Sequence, residues 1–115
     1  MDEPRRARRV LFICHYNRRR SATAERIFAK RSDLDVRSAG TSEDALARVN
    51  ERMLAWADLI FVMDDTQREA LNRLFPNDPA LTRVICLQIP DEFPFLDVEL
   101  VRLLEERVQP YLQDG

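Results

Sequence analysis

Apolar residues run unbroken from Val10 to Cys14 and again from Leu59 to Met63. A run that short, with no polar alternation, reads as a strand covered on both faces. Elsewhere the apolar positions fall at helical spacing. Ala24, Ile27 and Phe28 share one side of the segment from Ala22 to Arg31, and Ser21 stands where a cap belongs. Leu34-Asp35-Val36 reads as a short second strand that ends at Ser38-Ala39-Gly40. Leu46, Val49, Met53 and Trp56 then recur at helical spacing, with Ser42 as the candidate cap. Thr66-Gln67-Arg68-Glu69 has capping-box form and predicts a helix from there to Phe75, stopped by Pro76 and Pro79. Val84 to Ile89 reads as a fourth strand. A last helix from about Asp97 to Tyr111 turns Leu100, Leu103, Leu104 and Val108 inward, with Asp97 as its cap.

Strands alternating with helices predict an α/β fold: a four-stranded parallel sheet with right-handed crossovers and helices on both faces. With no repeat or linker in 115 residues, a single domain over 1–115 is expected. Ligands of such sheets sit beyond the carboxyl ends of the strands. Cys14 closes the first strand and Asp91 follows the fourth, so both fall at that edge.

Composition narrows the partners. The net charge of −2 gives no global reason for a nucleic-acid or anionic-membrane partner. Neither apolar run is long enough to cross a bilayer. Met1 to Arg9 is charged and no signal-type apolar segment follows it, so a cytoplasmic protein is expected. A monomer is the expected state. The two cysteines, Cys14 and Cys86, suit a reducing compartment, and with one histidine they make a poor zinc set. No cofactor is expected.

The chemistry concentrates in Cys14-His15-Tyr16-Asn17-Arg18-Arg19-Arg20-Ser21. A loop between a buried strand and a helix start can turn its amides inward and cradle an anion, and the helix dipole adds positive potential. Arg20, five residues beyond Cys14, can fork around two oxygens of a phosphoryl group. Such surroundings favour a thiolate at Cys14, a nucleophile facing the cradled phosphorus. Ser21 either caps the helix or donates a hydroxyl to the sulfur, or does both. Asn17 is the residue best suited to a left-handed backbone in a loop without glycine. Arg18 and Arg19 read as solvated charge that also attracts anionic substrates, and His15 as loop wall. Tyr16, Phe93 and Phe95 are candidate aromatic walls. Arginine and amides supply the charge stabilisation, so no metal is called for.

Phosphoester cleavage also needs a proton for the leaving oxygen. Pro90 and Pro94 stiffen the loop after the fourth strand, and Asp91 is its first acid. Asp91 is therefore assigned as general acid and then as base for the attacking water, with Glu92 as its competitor.

Together these residues resemble the low-molecular-weight protein tyrosine phosphatase family. The matching text is Val10-Leu11-Phe12-Ile13-Cys14, Asn17, Arg20-Ser21, Ala24-Glu25 and Phe28, then Ser38-Ala39-Gly40-Thr41 and Ala57 to Asp64. The resemblance implies the same sheet, Cys14 as nucleophile, Arg20 on the phosphate, Ser21 supporting the thiolate, Asn17 shaping the loop, and Asp91 and Phe93 as acid and aromatic of the acid loop. It implies a phosphorylated protein or small phosphoester as substrate. The chain departs from the family where Tyr16 replaces a usual glycine, Arg19 a frequent cysteine and Glu92 the proline after the acid, and between Thr41 and Ala57 it is shorter. Two other readings stay open. One is an arsenate reductase of the same fold, which needs a cysteine relay for which Cys86 is the only candidate. The other is a phosphate-binding module without turnover.

Overall fold

The computed structural model describes residues 6–112; the first five residues of the charged N-terminal stretch lie outside them. Four parallel strands, β1 (Arg8–Cys14), β2 (Leu34–Gly40), β3 (Leu59–Val62) and β4 (Val84–Cys86), form one sheet in the order β2-β1-β3-β4. Helices α1 (Arg20–Phe28) and α4 (Val98–Leu112) cover one face. Helices α2 (Glu51–Trp56) and α3 (Asp65–Leu74), with a 3-10 turn at Pro79–Arg83, cover the other.

The two unbroken apolar runs are the central strands. Val10 to Ile13 and Ile60 to Met63 are fully buried, because each strand has a helical layer above and below. Phe12 stacks on Phe28 of α1 and on Phe61 of β3, at centroid distances of 5.5 Å and 5.4 Å. Removal of each such side chain from water stabilises the fold by about 1.5–3 kcal/mol. Among the described residues, no helix is long and apolar enough to cross a membrane.

Four local expectations are corrected. First, α1 begins at Arg20, so Ser21 lies inside it and is not its cap. Second, only Glu51–Trp56 of the segment after Ser42 is helical, capped by Asn50 through a bond from the Met53 amide. Leu46, expected on an inward face, is 67% exposed. The reason is non-local. The carbonyls of Cys14, His15 and Tyr16 need donors, and the amides of Thr41, Ser42 and Leu46 supply them. Third, the capping box of α3 lies two residues earlier than Thr66: Asp64 is the cap and Gln67 the reciprocating side chain. Fourth, β4 stops at Cys86, because Gln88 takes a left-handed backbone with φ of 56°. The chain still follows β3, through bonds from the Leu87 and Ile89 amides to the Val62 and Met63 carbonyls. The Arg107 guanidinium on α4 donates to the Leu87 and Gln88 carbonyls and clamps that bend.

Candidate active site

Sheet register brings the ends of the strands together. Cys14 pairs with Gly40, Ile13 with Val62, and Val62 with Cys86. The loops that follow the four strands therefore meet at one edge. Neighbouring strands β1 and β3 send their connections in opposite directions, and a crevice opens there.

The Cys14 loop is shaped from behind. Its first three carbonyls are taken by Thr41, Ser42 and Leu46. Peptide bonds here are trans and planar, so the amides of His15, Tyr16 and Asn17 point to the opposite side. The Asn17 amide lies 3.2 Å from the Cys14 sulfur and donates to it. Asn17 has φ of 59°, the left-handed conformation expected of it. Gly40 lies directly beneath. A Cβ there would come within 2.5 Å of the His15 carbonyl oxygen and 2.6 Å of the Ala45 Cβ, so only glycine fits.

A chain of donors ends on the sulfur. The Asn17 side-chain amide donates to the hydroxyls of Ser21 and Ser38, each at 2.9 Å. Ser38 in turn donates to the Glu25 carboxylate. Ser21 thus accepts from Asn17; beside a Cys14 thiolate, which can only accept, its one hydrogen goes to the sulfur at 2.9 Å, the Ala39 carbonyl being farther, at 3.4 Å. Two donors then converge on Sγ. The first turn of α1 adds its dipole, with no acidic residue there and no side-chain cap at Arg19.

Arg20 is 3% exposed and fixed. Its Nη1 donates to Asp64 Oδ2 at 2.7 Å and to the Ile89 carbonyl at 2.8 Å. The Nε–Nη2 edge is left to face the cleft, with Asp91 Oδ1 3.8 Å from Nε. The Asp64 carboxyl is partly buried, which raises its pKa. Bonds from the Arg20 guanidinium and from the hydroxyl and amide of Thr66 outweigh that and hold it at about 2.

The cleft above the sulfur has a volume of about 140 Å³. Cys14 forms its floor, His15, Tyr16, Arg18 and Arg19 its rim, and Arg20 and Asp91 one side. Tyr16 is 45% exposed, and His15 stands edge-on to it at 4.3 Å. Of the residues expected at the site, Phe93 and Phe95 do not border the cleft. Phe93 is half-buried against the core on the α1 and α4 face of the sheet. Phe95 is exposed. Cys86 is half-buried on the opposite face of the sheet from Cys14, and burial pushes its thiol pKa up.

Four contributors carry no assignment from the sequence. Asp64 fixes Arg20. Ser38 with Glu25 orients Asn17. Thr23, fully buried in α1, accepts the amide of Leu96 at 2.9 Å and so ties the loop that carries Asp91 to the helix that carries Arg20. Overlapping cap signals at Asp64-Asp65-Thr66-Gln67 were the only hint of the first.

This architecture is that of the low-molecular-weight protein tyrosine phosphatases. A low-molecular-weight protein tyrosine phosphatase from Streptococcus pyogenes superposes with a TM-score of 0.78 at 17% identity, covering 94% of this chain and 95% of that one. The Vibrio vulnificus protein Wzb, solved with benzylphosphonate, gives 0.73 at 22% identity, covering 91% and 97%. The YwlE arginine phosphatase of Geobacillus stearothermophilus gives 0.68 at 20% identity, covering 92% and 93%. At these identities the likeness establishes the fold. No family model matches the chain, and no curated protein does.

Proposed function

We propose that the chain is a cysteine-dependent phosphomonoester hydrolase that acts on phosphotyrosine. The observation that carries this reading is the convergence of the Asn17 amide and the Ser21 hydroxyl on the Cys14 sulfur, at the floor of a cleft bordered by a tethered arginine.

In the proposed reaction, the Cys14 thiolate attacks phosphorus while the Nε–Nη2 edge of Arg20 and the loop amides hold the non-bridging oxygens. The bond from phosphorus to the leaving oxygen breaks as Asp91 gives that oxygen a proton. Asp91, now a carboxylate, takes a proton from water. The water oxygen attacks the cysteinyl-phosphate, the sulfur–phosphorus bond breaks, and inorganic phosphate and the thiolate are released. Tyr16 at the rim supports an aryl phosphate, because an aromatic ring entering the cleft would pass its face or edge. An arginine phosphatase shares the fold, so phosphoarginine is the second substrate to assay.

Hydrolysis of p-nitrophenyl phosphate, phosphotyrosine and phosphoarginine by the wild type and by Cys14→Ser tests the reading. Expected is turnover that prefers the aryl ester and vanishes in Cys14→Ser, which still binds phosphate. Phosphate binding by the wild type with no turnover would instead favour a binding module. Dithiol-coupled arsenate reduction is not expected. Cys14 and Cys86 face opposite sides of the sheet, on strands separated by β3. Two strand spacings amount to roughly 10 Å, beyond disulfide reach.

A further inference from the structure

The loop that carries Asp91 is held at its two ends. Among the described residues, no backbone amide from Asp91 to Phe95 makes a hydrogen bond, and the Asp91 side chain is half exposed. At the far end the Leu96 amide rests on Thr23. At the near end Ile89 is fully buried and gives its amide to the Met63 carbonyl at 2.8 Å. The Ile89 carbonyl in turn takes Nη1 of Arg20 at 2.8 Å. Pro90 follows, with its φ fixed by the ring. The direction in which the chain leaves Ile89 therefore aims Asp91, and the same carbonyl grips Arg20. Two groups of the proposed chemistry depend on one residue.

The residue before it sets that direction. Gln88 has φ of 56°, a left-handed backbone that disfavours a glutamine side chain. Peptide groups are planar, so those on either side of Gln88 are related by its φ and ψ alone. One nitrogen, Nη1 of Arg107, donates to the carbonyls of both, Leu87 at 2.7 Å and Gln88 at 2.8 Å. Two carbonyls drawn to one atom are locked in relative orientation, and the left-handed turn is locked with them. Arg107 stands on α4 between Leu104 and Val108, which are buried in the same core as Leu87 and Ile89. Among the described residues it makes no ion pair, so its charge is directed at those two carbonyls. It does not border the cleft.

We propose that Arg107 is a positioning residue of the active site. From α4, outside the cleft, it holds the bend at Gln88, and through Ile89 and Pro90 it sets both the grip on Arg20 and the aim of Asp91. The inference rests on the hydrolase reading above and extends that site to the last helix.

Two esters test it: phenyl phosphate, with a poor leaving group, and p-nitrophenyl phosphate, with a good one. Phosphate affinity is titrated on the same proteins, and thermal unfolding verifies that each is folded at the assay temperature. Arg107→Met keeps an unbranched helix former and removes the donors. Its kcat should fall about tenfold further for phenyl phosphate than for p-nitrophenyl phosphate, the scale of a small misplacement of a reacting group. Phosphate should bind it several-fold more weakly. Arg107→Lys should stay close to wild type, because both bonds come from one nitrogen and an ammonium can donate to both carbonyls. Gln88 is exposed and tests the bend without disturbing α4. Gln88→Val, β-branched and ill suited to positive φ, should reproduce Arg107→Met, whereas Gln88→Gly, free to adopt it, should not. Equal slowing of both esters with unchanged phosphate affinity in Arg107→Met would overturn the proposal. So would Arg107→Lys as impaired as Arg107→Met, or Gln88→Gly as impaired as Gln88→Val. No turnover by the wild type would sink the hydrolase reading alone, and phosphate affinity across the variants would then decide whether Arg107 places Arg20.

Discussion

The carboxylate of Asp64 serves two partners, Arg20 on one oxygen and the Thr66 amide on the other. Asn caps helices about as well as Asp, so Asp64→Asn should leave α3 in place and remove the negative charge beside Arg20. The expected result is a loss of about tenfold in kcat/KM for p-nitrophenyl phosphate, the difference between a charge-assisted and a neutral hydrogen bond. The same residue sets an acid limit. Its carboxyl is held at about 2 against an ordinary 3.8, so the folded state favours the ionised form. That contribution is fully present above about pH 4 and is lost as pH falls towards 2, on the order of 2 kcal/mol in all. Urea unfolding at stepped pH should show the decline in the wild type and a shallower one in Asp64→Asn. Asp91 answers a different measurement. Asp91→Ala should slow esters with poor leaving groups far more than activated aryl esters, and equal slowing would remove it as the acid. Thr23→Val, which keeps the shape and loses the acceptor for Leu96, should shift leaving-group dependence in the same direction by a smaller factor.

At the scale of elements, legibility tracks locality. Cys14, Asn17, Arg20 and Ser21 fall within eight consecutive residues between a strand and a helix, and their arrangement was readable from spacing. Asp64 is 44 positions from Arg20, and nothing local marks it as its partner. The turns after Ser42 depart from the expected helix for the same reason. Leu46, Val49, Met53 and Trp56 do share a helical spacing, yet the carbonyls of the Cys14 loop claim the amides that a helix would use. Ser21 shows the reverse: a cap by sequence pattern, it spends its hydroxyl on sulfur. Gly40 is the element-level test. Gly40→Ala places a methyl against the His15 carbonyl and the Ala45 side chain, and should lower stability by about 1–3 kcal/mol and phosphate affinity with it. Thermal unfolding and phosphate titration check both.

For the whole molecule, burial on two faces decides the outcome. Continuous apolar runs, alternating with helical segments, suffice to predict a parallel sheet between helical layers, and the four parallel strands meet that expectation. Strand order sets the crevice between β1 and β3, and Arg20 spans it to reach Asp64. The first turn of α3 is therefore linked to whatever occupies the cleft. An oxyanion gripped by Arg20 steadies its guanidinium, the guanidinium steadies the carboxylate, and the carboxylate closes the start of the helix. Vanadate binding should accordingly slow hydrogen–deuterium exchange at the amides of Thr66 and Gln67, a signal of occupancy readable across the crevice without any turnover.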